Sequence, residues 1–198
     1  MSEFQIVQRP TLPRIVNGMR RFAWLGAANP QAVAVFNRRL SNARIGSMQT
    51  GAWVGTSDPK HGALEIRRLV EQICSGLQSG DYAGEILACY YWVCQNIRYM
   101  RDPQEVELVK EPIVLLRTRS GDCDDAAVLL ASMLMACGNE CRFVLISFNP
   151  QKIPSHVFCA VKTPAGFLPL DPVANRVTRD MWSKATSILQ IPCSPTRG

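Results

Sequence analysis

Histidine is scarce in this 198-residue chain, with only His61 and His156 present. Eight cysteines occur without one Cys-x-x-Cys pair, so a zinc site has little support. The glycine-rich loop that cradles phosphate is missing. No stretch approaches the roughly 18 consecutive apolar residues of a membrane span, so no membrane partner is expected. The first residues, Met1 to Gln5, lack the basic-then-apolar order of a secretion signal. Lysine is absent from residues 1–57.

What is present is enough to bury a core. Apolar residues make up 47% and charged residues 19%, which argues against global disorder. Cys74, Cys89, Cys94, Cys137 and Cys159 sit within apolar runs, where free cysteine acts as a small hydrophobe. The even number of cysteines is therefore read as free thiols rather than disulfides. A reducing, cytoplasmic compartment is expected.

The net charge of +6 is unevenly distributed. Residues 1–57 hold seven Arg against one acid, Glu3, and residues 58–198 hold fifteen basic and fifteen acidic residues. The division is thus a basic extension, 1–57, and a charge-balanced domain, 58–198. An Arg-rich arm suits an acidic or multi-subunit protein partner, nucleic acid, an organellar transit role, or a solvated or self-docked extension. The balanced domain itself gives no reason to expect nucleic-acid readout.

Helix signals dominate the first two thirds. Asn29-Pro30 starts an amphipathic helix carrying Val33, Phe36 and Leu40, and the glycines at 46, 51 and 55 mark a linker. Asp58-Pro59 opens the next helix, with a stripe of Leu64, Leu69, Ile73 and Leu77 that Gly80 should end. Asp81 caps a further helix, expected to run to about Met100, where Asp102-Pro103 stops it. Glu111-Pro112 begins a short turn of helix. From Cys123 to about Cys137 the pattern is apolar nearly all round, as in a central buried helix. Strands follow: Arg142–Phe148, His156–Val161 and Phe167–Leu170. Asp180 is placed to cap a last short helix through Met181, Trp182 and Ile188, ahead of a loose tail. Helices first and strands after is an α+β order.

The chemistry gathers at three positions. Gly121-Asp122-Cys123-Asp124-Asp125 delivers a thiol onto the first turn of the buried helix. Unpaired N–H groups and the helix dipole favour a thiolate there, and those N–H groups are placed to bind an oxyanion. Gly121 is expected to allow a sharp turn and leave room for substrate. Three carboxylates crowd the same turn and oppose thiolate formation, so an imidazolium partner is needed. They also bring a calcium loop to mind, but the glycine and distal glutamate of that loop are missing. His61, on the first turn of a scaffold helix, reads as a solvated or capping residue. For His156 and Asp171 the hairpin is informative. A turn at 163–166 pairs Lys162 with Phe167 and therefore Phe158 with Asp171. Asp171 and His156 are then diagonal neighbours on one face, placed for aspartate to orient the imidazole. Alone, His156 reads as a hydrogen-bonded structural residue and Asp171-Pro172 as a turn start.

Taken together, these pieces resemble the transglutaminase-like superfamily of papain-type cysteine enzymes, especially its small bacterial and phage members. The resemblance rests on Tyr90-Tyr91-Trp92 with Ile97-Arg98-Tyr99, the Pro112 to Leu116 turn, Gly-Asp-Cys-Asp-Asp-Ala-Ala from Gly121 to Ala127, Cys137-Gly138-Asn139, His156-Val157 and Leu170-Asp171-Pro172. It implies a cysteine-bearing helix packed on an antiparallel sheet, with Cys123 as nucleophile, His156 as base and Asp171 as orienting acid. It implies acyl transfer through a thioester on a protein or peptide substrate, without metal or cofactor. A side-chain oxyanion donor is usual in the family, and Tyr99 is a candidate. The extension 1–57 has no counterpart in this pattern. The rival reading is a catalytically silent or gated assembly protein, such as a phage structural component, docking through that arm.

Overall fold

The computed structural model describes residues 59–101, 109–152, 154–174 and 183–193, with side chains from residue 64 onward. The expected helix at 29–42, the linker, the basic arm, the side chain of His61 and the stretch from Asp180 through Trp182 lie outside the described residues.

Among the described residues these elements follow in order: α1 (Pro59–Cys74), α2 (Tyr82–Asn96), β1 (Arg98–Tyr99), α3 (Pro112–Thr118), β2 (Ser120–Gly121), α4 (Cys123–Ala136), β3 (Cys141–Ser147), β4 (His156–Thr163), β5 (Gly166–Leu170) and β6 (Ser187–Pro192), with Ser183 and Lys184 also helical ahead of β6. The fold is α+β, as the order of sequence patterns requires.

α4 is the centre of the molecule. Every residue from Cys123 to Leu134 is buried. Its far end closes in a Schellman turn: Asn139 N–H donates to the Leu134 carbonyl and Gly138 N–H to that of Met135, with Gly138 at φ +83°. α2 starts where the sequence indicates, the Asp81 carboxylate accepting from Gly84 N–H at 2.9 Å. Ile66 and Val70 of α1 and Ile86, Tyr90 and Val93 of α2 join the core around α4.

The sheet is antiparallel in the order β5-β4-β3-β6. Its pleat sorts residues by alternation. Phe143, Leu145, Val157, Cys159, Val161 and Leu170 join the core that contains α4, while Val144, Ile146, Phe158 and Ala160 form a second cluster. The β4–β5 register pairs Lys162 with Phe167, as the turn at 163–166 dictates.

Three element boundaries depart from expectation. Ile188 belongs to β6 rather than to a helix, and Pro192 and Cys193 are held rather than loose. Ser183 and Lys184 are helical, but the helix does not reach Ile188: the run Ser187–Pro192 completes the β3 ladder, and pairing along a whole strand outweighs the local helix signal there. α2 ends at Asn96, four residues early. There Ile97 turns extended, and Arg98 N–H and Met100 N–H donate to the carbonyls of Arg119 and Gly121. α1 ends at Cys74, and a turn carries the chain on to Gly80 (φ +85°).

Candidate active site

Cys123 is the first residue of α4. The approach to it is rigidly built. Arg119 ends α3 in the left-handed region at φ 53°, and Ser120–Gly121 then pair with Arg98–Tyr99 as a short parallel ladder. Gly121 is required for a different reason from the one its sequence position indicates. It does not have a positive φ; instead a Cβ there would lie 2.4 Å from Asp125 Oδ2 and 2.7 Å from Leu115 Cδ1. Tyr99 lies beside Gly121 in this ladder.

The carboxylates of the turn are absorbed by helix start and charge pairing. Asp122 and Asp125 form a reciprocal capping box. Asp125 also accepts from the Lys110 main-chain N–H at 2.6 Å and pairs with the Lys110 ammonium at 2.5 Å. Asp124 accepts from Asp125 N–H at 2.8 Å. Burial is the largest influence on Asp125. Together with the Asp122 charge it outweighs Lys110 and pushes the Asp125 carboxyl up to about 6.

Cys123 is only 3% exposed. Burial pushes the thiol well up from its ordinary value, and the Asp122 and Asp124 charges push it the same way, while the Val157 N–H pulls it down. Cys123 and Val157, the residue that follows His156, lie in the same buried core. No hydrogen bond joins the thiol to the His156 ring among the described residues.

His156 and Asp171 are joined directly. His156 Nε2 lies 2.5 Å from Asp171 Oδ2, with both side chains buried. The second carboxylate oxygen of Asp171 accepts from Val173 and Ala174 N–H, each at 3.1 Å. Asp171 is therefore both the start of a turn and the partner of the histidine. Tyr90 OH donates to the Asp171 carbonyl at 3.3 Å, fixing the main chain from the helical side. The ring's Nε2 is committed to aspartate, leaving Nδ1 for proton exchange.

Sequence reasoning put forward Cys123, His156 and Asp171 as a set, and the structure joins His156 directly to Asp171. It missed Lys110, the Val157 N–H and Tyr90. Lys110 sits in a connector without periodicity. A main-chain donor carries no side-chain signature. Tyr90 looked like one more core aromatic.

Residues 67–172 match the family model described as transglutaminase-like superfamily, just over half of the chain. The chain belongs to the transglutaminase-like superfamily. Among curated proteins no match is found. Solved structures similar to this superfamily member include a protein proposed to be a cysteine protease from Cytophaga hutchinsonii, with 16% identity, TM-score 0.47, 65% of this chain and 41% of that one covered. A protein proposed to be a protease from Parabacteroides distasonis gives 14% identity and TM-score 0.46 over 69% of this chain and 26% of that one. Legionella pneumophila LapG gives 15% identity and TM-score 0.49 over 75% and 80% of the two chains. The chain thus spans less than half the length of the first two.

Proposed function

We propose that this chain is a cysteine-dependent amide hydrolase or acyltransferase that works through a thioester. The observation that carries the reading is the buried His156–Asp171 pair at 2.5 Å, on a hairpin whose Val157, next to His156, shares one buried core with Cys123. Cys123 attacks the amide carbonyl, and the His156 ring takes the thiol proton and passes it to the leaving amine. Asp171 holds the ring and stabilises its cation. The N–H groups of the first turn of α4 receive the oxyanion. Because the thiol is held protonated at rest, proton removal accompanies attack instead of preceding it. Water then resolves the acyl-enzyme, in keeping with peptidase chemistry in small relatives of this type. Substrate-free sites commonly hold their catalytic hydrogen bonds long, and this reading requires the ring to reach the thiol in the substrate complex.

The test is a peptide-amide library assayed with and without an added primary amine, using the full chain and Cys123→Ala. Hydrolysed product from the wild type and none from the variant supports the reading. Turnover unchanged in Cys123→Ala contradicts it.

A second reading is favoured by one feature, the burial of Cys123. In it the core is gated or silent, and residues 1–57, with six surplus positive charges, dock an acidic or multi-subunit protein partner. Deleting residues 1–57 separates the two: loss of co-purifying partners with unchanged peptide turnover assigns docking to the arm. Unchanged partners remove this reading.

A further inference from the structure

Three thiols converge away from the site just described. Cys74 is the last residue of α1, Cys89 lies in the middle of α2, and Cys137 caps the C-terminus of α4. Their sulfur atoms all lie within 4.8 Å of one another, and Cys89 Sγ and Cys137 Sγ are 3.9 Å apart. Cys74 and Cys137 are half-buried and Cys89 is buried, so the cluster has an open side.

That spacing has a chemical meaning. Sulfurs each bound at about 2.3 Å to one ion lie about 3.8 Å apart in a tetrahedral set and about 4.0 Å apart in a trigonal one. The surroundings also favour a cation. Two helices, α1 and α4, end at the cluster, and the C-terminal end of a helix carries partial negative charge. The carboxylate of Glu85 adds its charge to both Cys74 and Cys137. The same groups are unfavourable for three unbound thiolates, so the thiols of the free protein share protons. Cys89 and Cys137 share a hydrogen bond between their sulfurs, and either thiol can donate.

We propose that Cys74, Cys89 and Cys137 form a binding site for a thiophilic d10 cation, monovalent copper or zinc. The three sulfurs bind the ion and release their protons to solvent as the metal–sulfur bonds form. Copper(I) is satisfied by three thiolates as they stand, whereas zinc takes a fourth ligand on the open side, from Glu85 or water. The site is independent of the proposed nucleophile: Cys123 starts α4 and Cys137 caps its opposite end.

The experiment uses the full chain, kept reduced with a phosphine, titrated with copper(I) in one arm and with cadmium as a spectroscopic stand-in for zinc in the other. The expected result is one equivalent bound with a thiolate-to-metal charge-transfer band, and protection of Cys74 and Cys137 from alkylation on peptide mapping. Cys74→Ala and Cys137→Ala, both at half-exposed positions, are expected to weaken binding at least tenfold. Cys123→Ala and Cys193→Ala are expected to leave it unchanged. Glu85→Gln weakens cadmium and spares copper(I) if the carboxylate supplies the fourth ligand; equal effects on both ions assign the position to water. Because protection is read on the wild-type chain, a variant that fails to fold does not decide the matter. Absence of stoichiometric binding, or binding without protection of Cys74 and Cys137, overturns the proposal.

Discussion

His156 and Asp171 meet across the β4–β5 hairpin although they are not opposite each other in its register. Their side chains close to 2.5 Å, Nε2 to Oδ2, beyond the last Cys159–Leu170 pair. The carboxylate is held from three directions, by the ring and by two N–H groups of the turn that follows. Removing it costs orientation of the ring as well as the turn. Asp171→Ala is expected to lower kcat/KM by about 10²-fold or more and stability by roughly 1–3 kcal/mol. Asp171→Asn keeps an acceptor for the turn and is expected to recover most of the stability. The paired measurement is peptide turnover with urea denaturation of both variants. Full activity in Asp171→Ala would remove the orienting role.

The Asp122 and Asp124 charges bear on the thiol's reactivity. Cys123 is expected to alkylate slowly near neutrality, with a rate that keeps rising at pH values above the ordinary thiol range. Asp124→Asn retains an acceptor for Asp125 N–H but removes one charge. It is expected to shift the pH–rate profile of Cys123 modification downward, by about tenfold in rate for each pH unit gained. Peptide mapping at each pH assigns the modified site. An unshifted profile would show that burial alone sets the thiol.

The Asp125 carboxyl gives a pH signature of the opposite kind from a normal salt bridge. In the folded chain it keeps its proton up to about pH 6, whereas in the unfolded chain it loses it near pH 4. Between these values the folded state binds more protons. This group's contribution to stability is therefore full below about pH 4 and declines as the pH rises to about 6, on the order of 1 kcal/mol per pH unit. Asp125→Asn lacks that decline. The stability of the variant relative to wild type is expected to improve from pH 4 to pH 6, measured by urea denaturation at each pH. A difference that is flat across this window contradicts the assignment.

Gly121→Ala tests the close approach in front of Cys123. The added methyl meets Asp125 Oδ2 and Leu115 Cδ1 inside contact distance, so either the capping box or the α3 contact must shift. A loss of about 1–3 kcal/mol is expected, with a larger fall in activity than the stability loss alone explains. Unchanged stability would mean that the turn is more pliable than its geometry indicates.

Much of this was legible in the residues, for identifiable reasons. A run that is apolar all round has one place to go, the centre, and α4 is there. A short turn fixes a hairpin register, so the sequence alone places Asp171 beside His156. The illegible parts are those decided by distant segments. Ile188 joins β6 because β3 needed a partner for its outer edge, which no local pattern around Asp180 reveals. α2 stops at Asn96 because the carbonyls of Arg119 and Gly121 capture the following N–H groups. The convergence of Cys74, Cys89 and Cys137 has no spacing signature, since each comes from a different helix.

The central claim is that Cys123 carries the acyl group while His156 moves the proton. The most direct measurement is intact-mass analysis after rapid mixing with an activated peptide ester, followed by peptide mapping. The account predicts a single acyl adduct on Cys123 that turns over in the wild type, persists in His156→Ala if it forms there, and is absent in Cys123→Ala. An adduct on any other cysteine, or equal acylation of the wild type and Cys123→Ala, would contradict it.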